Sequence, residues 1–219
     1  MNQDAPMSGP SPSQGAPAHR LPTKPSRILV ADDEYLVAAE LTSWLADGGY
    51  TTIGPVGTGN EAIRLARSAL PDMCLLDIRM PNGDGLTAAK TIMEDPGLPV
   101  VILTAYWDKE YVQVAEAAGV FAYLIKPADP NQLMATVEIA WGRYKRFMEE
   151  ATDRQKLARR LEERKIVEQA KWILVERAGL DEPRALRMLQ DRARRNRERL
   201  VAVAQRVISA GEGGHTPAK

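Results

Sequence analysis

Short apolar runs alternate with longer amphipathic segments through the first 130 residues of this chain. Each apolar run ends at a turn or a polar residue, as strands covered on both faces do, and the segments between them repeat apolar residues at helical spacing. Strands are predicted at 27–31, 50–56, 73–77, 100–103 and 122–125, and helices at 36–47, 60–69, 86–93 and 109–118, with a further helix starting near 129. Five repeats of strand and helix predict an α/β fold with a five-stranded, doubly wound parallel sheet.

The rest of the chain shows helical spacing alone. From Asn131 the apolar positions continue toward a stop signal at Gly179, which predicts one long helix. Asp181 is a predicted N-cap for a second helix, with Pro183 in its first turn. A third helix is predicted from Leu200 to Ile208. These patterns predict a small three-helix bundle after the α/β domain.

The patterns divide the chain into segments. Residues 1–26 are rich in proline, glycine, serine and glutamine and are predicted to be a disordered tail, and 210–219 a second tail. The α/β domain covers 27–140, a helical linker 141–160 and the bundle 155–209. The apolar stripe of the linker could form a two-stranded coiled coil or pack on its own α/β domain, and the sequence leaves both open.

Charge separates the two halves of the 219-residue chain. The whole sequence is neutral, with 29 basic and 29 acidic residues. Residues 1–140 carry 9 Lys and Arg against 17 Asp and Glu, whereas 141–219 carry 20 against 12. The sequence therefore joins an acidic module to a basic one, and the basic half is a candidate for a polyanionic partner.

The sequence gives no sign of a membrane or secreted protein. No apolar run approaches the roughly 18 residues that span a bilayer, and 1–27 contain no apolar signal-peptide core. Cys74 is the single cysteine and lies in a predicted strand, so burial as a small hydrophobic residue is its expected role. We expect a cytoplasmic protein with no membrane partner.

Polar residues stand where four of the five strands end. Asp32 and Asp33 follow the first strand, Asp77 ends the third, Thr104 follows the fourth and Lys126 the fifth. The carboxyl ends of parallel strands share one edge of a sheet, so these side chains are expected to lie together. Each residue alone could be a strand end, a helix N-cap or a surface charge; the joint arrangement indicates a site.

Three clustered carboxylates repel one another unless a divalent cation and a lysine neutralise them. Ligands that are all oxygen favour Mg²⁺ over zinc. Both histidines, His19 and His215, lie in the tails and are poor candidates for ligands. A carboxylate nucleophile with Mg²⁺, a lysine and a hydroxyl suits phosphoryl transfer to Asp77, with Thr104 available to hydrogen-bond the added oxygens.

At this point the chain resembles the receiver domain of two-component response regulators over about 27–140. The resemblance rests on Asp32-Asp33, on Leu76-Asp77-Ile78-Arg79-Met80-Pro81-Asn82-Gly83-Asp84-Gly85, on Leu103-Thr104-Ala105 and on Tyr123-Leu124-Ile125-Lys126-Pro127. It implies a flavodoxin-like receiver in which Asp77 is the phosphoacceptor and a sensor histidine kinase or phosphotransfer protein is the donor.

The same resemblance implies roles for further residues. Asp32, Asp33, Asp77 and the backbone carbonyl of Arg79 would bind Mg²⁺. Thr104-Ala105 and Lys126 would contact the phosphoryl group, and Thr104 and Tyr123 would act as a switch pair. The bond between Lys126 and Pro127 would be cis.

Two bulky residues could screen the acceptor from water. Arg79 lies two positions after Asp77, and Tyr106 lies two positions after Thr104. Receiver domains commonly vary at these two positions. Because the two side chains could keep water from the phosphorylated Asp77, the hypothesis is that the protein dephosphorylates itself slowly.

The end of the chain resembles a second family, the ANTAR domain of transcription antitermination regulators, over about 155–209. The resemblance rests on 161–171, on 179–186 and on 189–207, the last of which includes the arginine-rich segment 192–199. It implies binding to RNA stem-loops in nascent transcripts by a homodimer. The residues expected to contact RNA are Lys171, Arg192, Arg195 and Arg199.

Three residues depart from the ANTAR pattern: Trp172, Val175 and Leu186. The indole of Trp172 could enter the core or stack on an unpaired base, and we expect the core.

The combined hypothesis is a response regulator in which phosphorylation of Asp77 promotes dimerisation and RNA binding for transcription antitermination. A DNA-binding response regulator is the alternative, although the bundle shows no clear helix-turn-helix. A phosphatase with an aspartate nucleophile is a second alternative, but such enzymes carry a general acid two residues after the nucleophile, where this chain has Arg79.

Overall fold

The protein consists of two compact units. The computed structural model describes residues 21–81, 85–105 and 119–212, with the side chains of 211 and 212 excepted. The units are Met1–Ala151 and Thr152–Lys219. The predicted helix at 109–118 and most of both predicted tails lie outside the described residues.

The first unit is built on a five-stranded parallel sheet, as the sequence predicts. Its strands are β1 (Arg27–Ala31), β2 (Thr51–Val56), β3 (Met73–Asp77), β4 (Val100–Thr104) and β5 (Ala122–Ile125). The spatial order is β2-β1-β3-β4-β5, and every neighbouring pair is parallel. In the described ranges, its helices are α1 (Tyr35–Asp47), α2 (Gly59–Ala69), α3 (Gly85–Glu94) and the start of α4 (Pro130–Ala178).

Successive strand residues face opposite sides of the sheet and form two apolar cores. In β1, Ile28 and Val30 belong to one core and Leu29 and Ala31 to the other. Helices α1 and α4 cover the first core, whereas α2 and α3 cover the second. The sheet is therefore doubly wound, and β3 is buried along its whole length.

The beginning of α4 packs on its own sheet. Trp141 and Tyr144 are buried in the core that also holds α1, and the Tyr144 hydroxyl donates a hydrogen bond to the Gly97 carbonyl at 3.2 Å. Of the two alternatives for the start of the linker, packing on the α/β domain is the one observed.

The disordered N-terminal tail predicted at 1–26 includes residues that contact the α/β domain. Leu21 packs against the first core, and the Trp141 indole donates a hydrogen bond to the Pro22 carbonyl at 3.1 Å. The backbone amides of Ser26 and Arg27 donate to the Asp72 carboxylate at 2.7 and 2.9 Å. These contacts hold residues 21–26 against the domain. The prediction missed them because composition alone does not reveal such contacts.

The second unit is a bundle of α4, α5 (Glu182–Asn196) and α6 (Leu200–Glu212). Its small core contains Ala170 from α4, Leu189 from α5 and Val203 from α6. The predicted N-cap is observed: the Asp181 carboxylate accepts a hydrogen bond from the Arg184 amide at 2.8 Å.

One expectation for the bundle is wrong. Trp172 does not enter the core: its side chain is 52% exposed. Residue 172 lies about 200° around α4 from the core residue Ala170, on the opposite face of the helix.

None of the helices in the described ranges contains an apolar stretch long enough to span a membrane.

Candidate functional site

Strand register brings the predicted acids to one level. Ala31 pairs with Leu76 across β1 and β3, so the residues that follow them, Asp32 and Asp77, lie side by side at the ends of these strands. The Asp32 amide donates to the Val56 carbonyl at 2.9 Å, and its side chain accepts from the Glu34 amide at 3.0 Å. Asp32 is thus fixed by backbone contacts on both sides.

Lys126 joins the two acids. Its Nζ lies 2.7 Å from Asp32 Oδ2, 3.1 Å from Asp77 Oδ1 and 3.6 Å from Glu34 Oε1. Burial acts to lower the Lys126 pKa, but the hydrogen bonds and attraction of Asp32 and Asp77 outweigh burial, and the pKa is raised. Lys126 is therefore held as a cation between carboxylates.

Asp77 uses both carboxylate oxygens. Oδ1 faces Lys126, and Oδ2 accepts a hydrogen bond from the Arg79 amide at 3.1 Å. Burial and, to a smaller extent, the charge of Asp32 raise the Asp77 pKa, and together they outweigh Lys126 and the Arg79 amide, which lower it. The carboxylate is thus partly desolvated, and its two partners orient it at the end of a rigid strand.

The acids are close enough to share one ion. Oxygens of Asp32, Asp33 and Asp77 all lie within 4.8 Å of one another. Asp33 is exposed, whereas Asp32 and Asp77 are buried, so the group opens to solvent on one side. Lys126 offsets only one of the three charges, and the remaining negative charge with an all-oxygen donor set fits Mg²⁺.

The group lies at an open cleft of about 340 Å³. Thr104 and Ala105 line this cleft together with Asp33, Asp77 and Lys126. The Lys126–Pro127 bond is cis, as the resemblance implied. All the strand-end residues singled out in the sequence are therefore brought together at one edge of the sheet.

Three residues proposed to modulate the site, Tyr123, Arg79 and Tyr106, are less defined. Tyr123 is on β5 with its side chain 36% exposed. Arg79 is exposed at the cleft, but Tyr106 lies outside the described residues, so the screening hypothesis for this pair stays a prediction.

Sequence reasoning missed two contributors to the site. Glu34 lines the cleft near Lys126, and its place in the run Asp32-Asp33-Glu34 was the available signal. Gly85 donates its amide to the Ile78 carbonyl at 2.9 Å, and a Cβ there would lie 1.9 Å from the Asp77 carbonyl oxygen. Only glycine fits beneath the acceptor without moving this backbone.

Comparison with known proteins agrees with this geometry. Residues 28–138 match the response regulator receiver domain family, and residues 155–208 match the ANTAR domain family. Transcriptional regulatory protein PdtaR of Mycobacterium tuberculosis is 36% identical over 84% of this chain and 90% of its own length. The chain is a response regulator with a receiver domain and an ANTAR domain.

Solved structures support the receiver fold. The signal receiver domain of a modulated diguanylate cyclase from Desulfovibrio desulfuricans is 32% identical, with a TM-score of 0.52, over 56% of this chain and 97% of that one. A two-component response regulator from Clostridium difficile is 28% identical, with a TM-score of 0.51, over 54% and 97%.

The two domains decide between the classes of function considered above. A receiver with an ANTAR domain is a signalling regulator, not a classical enzyme such as a phosphatase. Its output is the RNA-binding ANTAR type, which disfavours the DNA-binding alternative.

The residues expected to contact RNA differ in their surroundings. Lys171 is only 8% exposed; its Nζ donates to Glu168 at 2.7 Å and lies 3.3 Å from Glu182. The hydrogen bond that Lys171 donates to Glu168 raises the Lys171 pKa, with a second contribution from Glu182. The Lys171 ammonium is therefore already paired with two carboxylates, and these ion pairs link α4 to the start of α5.

The three arginines are more accessible. Arg199 forms an ion pair with Glu163 of α4, and Arg195 donates to the Asp191 carbonyl at 3.4 Å. Arg192 lines a cleft between the helices. Their roles as RNA contacts stay predictions.

Proposed function

We propose that Asp77 accepts a phosphoryl group from the phosphohistidine of a sensor kinase or phosphotransfer protein, and that this modification controls RNA binding by the ANTAR domain. The observation that carries the proposal is the Asp77 carboxylate, held between Lys126 and the Arg79 amide at an open acidic cleft. A receiver domain implies such a donor.

The proposed transfer uses Asp77 as the nucleophile. A carboxylate oxygen attacks the phosphorus, the P–N bond of the donor breaks, and the imidazole nitrogen leaves with the electron pair. One Asp77 oxygen, once bonded to phosphorus, no longer carries the charge that attracts Lys126. The ammonium of Lys126 then pairs with the phosphoryl oxygens instead. Thr104 and Ala105 line the same cleft and are placed to contact those oxygens.

Asp32, Asp33, Asp77 and the Arg79 carbonyl would hold Mg²⁺, in keeping with the close oxygen donors of the three acids. When bound, the ion supplies positive charge that offsets the charge on the transferring group. Because Asp32 is fixed by backbone hydrogen bonds, this ligand is positioned before the ion arrives.

The switch would connect the phosphoryl group to the receiver surface. Thr104 moves toward the added oxygens and leaves space behind β4, into which the half-exposed Tyr123 ring turns. The receiver face that includes Tyr123 then changes shape, which favours association of two chains.

The linker part of α4 offers a surface for that association. Leu157 and Leu161 are four residues apart on one face of the helix, and they are 59% and 53% exposed. Burying such a pair against the same pair of a second copy would stabilise a dimer. Two basic ANTAR domains would then bind paired stem-loops in a nascent transcript and prevent terminator formation.

The first experiment tests the acceptor. Wild-type protein, Asp77→Asn and a control, Asp47→Asn, are incubated with Mg²⁺ and a small acyl phosphate, and intact mass is measured. Asp47 is exposed at the end of α1, away from the cleft. We expect one added phosphoryl group on the wild type and the control and none on Asp77→Asn. Modification of Asp77→Asn to the wild-type extent would overturn the proposal.

A further inference from the structure

A cationic cleft with an apolar floor lies between the three helices of the ANTAR domain. Its volume is about 410 Å³, within the range of pockets that take small ligands. The lining residues are Ile173, Leu174, Arg177, Arg192, Val203, Arg206, Val207 and Ala210. Three of them are arginines and none is acidic.

The floor belongs to the bundle core. Val203 is buried in that core, and Leu174 and Val207 pack against it. These residues present apolar surface to the cleft, which a ligand with an apolar face could cover. Removing such a surface from water stabilises a complex.

The arginines surround this floor. Arg206 is held in place because both of its terminal nitrogens donate to the Glu198 carboxylate. Arg192 also acts on Glu198: the hydrogen bonds from Arg206 lower the pKa of that carboxyl, and the charge of Arg192 contributes to the lowering. A planar guanidinium can stack on an aromatic ring with its face and bind a phosphate with its edge.

A second depression in the same domain has a different character. It is lined by Arg164 and Arg199, but it also contains the Glu163 carboxylate, which pairs with Arg199. An anionic ligand would have to compete with this acid. The cleft at Arg192 is lined by no acid, and Glu198, which pairs with Arg206, is not among its lining residues.

We infer that the cleft at Arg192 binds one unpaired nucleotide of an RNA loop. The base lies on the apolar floor and stacks against an arginine, while the neighbouring phosphates pair with the rim of guanidinium groups. This inference rests on RNA binding by the ANTAR domain and adds the site and the chemical unit that it recognises. A base is required, because phosphate contacts alone would leave the floor exposed.

The test fills the cleft without changing any charge. Ala210→Trp places an indole at the rim of the cleft, at an exposed position of α6. Gln205→Trp adds the same side chain at an exposed position of the same helix that does not line the cleft. Arg192→Lys keeps the positive charge and removes the planar fork. Thermal unfolding followed by circular dichroism confirms that each full-length variant folds.

The probe is a single RNA hairpin, selected by the full-length wild-type chain from a pool with a randomised loop. Kd is measured for this hairpin and for derivatives in which loop bases are removed one at a time, leaving the sugar-phosphate backbone. We expect one abasic position to weaken wild-type binding about tenfold. Ala210→Trp should weaken binding to the intact hairpin by a similar factor and abolish the effect of that abasic position; Gln205→Trp should change neither.

Two failures are distinguishable. If the selected hairpin binds the wild type no better than duplex DNA of equal length, RNA binding itself fails. If hairpins bind but the abasic effect is the same in the wild type, Ala210→Trp and Arg192→Lys, the domain reads the loop elsewhere and the inference is overturned. Partial loss of the abasic effect in Arg192→Lys, with full loss in Ala210→Trp, supports stacking on Arg192.

Discussion

Gly85 determines how closely α3 approaches the end of β3. Its ideal Cβ position is 1.9 Å from the Asp77 carbonyl oxygen and 2.9 Å from Ile78 Cα, both of which are backbone atoms. We predict that Gly85→Ala destabilises the receiver by at least about 1–3 kcal/mol, the usual cost of forcing an added methyl group into packed structure. A lower Tm in thermal unfolding measures the effect.

Gly142 provides the matched control. It lies inside α4, and a Cβ there would meet nothing within 4 Å. Gly142→Ala should stabilise the protein by about 0.5–1 kcal/mol, because alanine loses less conformational freedom than glycine in a helix. Equal Tm values for the two alanine variants would show that the Gly85 contact is not tight.

Lys126 should have opposite effects on metal binding and on phosphorylation. Lys126→Gln removes the cation that faces Asp32 and Asp77, so we predict tighter Mg²⁺ binding by calorimetry. Phosphorylation by an acyl phosphate should slow at least tenfold, because the developing oxygen charge loses its partner. Lys90→Gln, at an exposed position of α3, is the control, and weaker Mg²⁺ binding by Lys126→Gln would contradict the electrostatic account.

Single residues were predictable where backbone geometry alone fixed their place. Asp77 and Lys126 end parallel strands, and such ends must share one edge of the sheet. The pairing of Lys171 and the exposure of Trp172 were not predictable in this way, because adjacent helix positions point in directions 100° apart. Assigning these two residues requires knowing which face of α4 meets the bundle core.

At the scale of elements, β3 should protect its cysteine. Cys74 is fully buried, and burial raises the pKa of its thiol well above the usual range. The thiol therefore stays neutral at pH 7 to 9, and the reactive thiolate does not form. We predict no alkylation by iodoacetamide in the folded protein and complete alkylation in denaturant, read from intact mass. Because the chain has one cysteine, rapid alkylation without denaturant would mean that β3 is exposed.

The contact between α4 and α5 should depend on Lys171. Its ammonium bridges Glu168 on α4 and Glu182 on α5, whereas Lys165 is exposed and lies 3.7 Å from Glu162. We predict that Lys171→Ala lowers the Tm of the bundle more than Lys165→Ala does. The slope of RNA affinity against salt should be unchanged by Lys171→Ala if the residue is structural, and shallower if it contacts phosphate.

The elements themselves were largely predictable, because the spacing of apolar residues changes between strand and helix. Periodicity also gave the long α4 and its stop near Gly179. It could not give the partner of an apolar stripe: Trp141 and Tyr144 pack on the receiver core, whereas Leu157 and Leu161 remain exposed on the same helix. The same spacing is compatible with both outcomes.

At the scale of the whole molecule, the two halves of the chain carry opposite net charges. The acidic half holds the proposed phosphoacceptor, and the basic half, with 20 Lys and Arg against 12 Asp and Glu in 141–219, holds the ANTAR domain. An isolated basic domain makes a limited number of phosphate contacts. Two copies on one transcript would make about twice as many, and the effective concentration of the second domain would raise affinity further.

This doubling gives a salt dependence that can be measured. The slope of log K against log salt is about −0.7 per phosphate contacted for single-stranded nucleic acid, so it should become about twice as steep when phosphorylation pairs two chains. Leu161→Glu places a charge at the proposed dimer surface, and Gln155→Glu adds the same charge elsewhere on exposed α4. We predict that the phosphorylated wild type and Gln155→Glu sediment as dimers with the steep slope. Phosphorylated Leu161→Glu should remain monomeric and show the salt slope of the unmodified protein. A steep slope in this monomer would mean that phosphorylation raises RNA affinity without dimerisation, which would contradict the prediction.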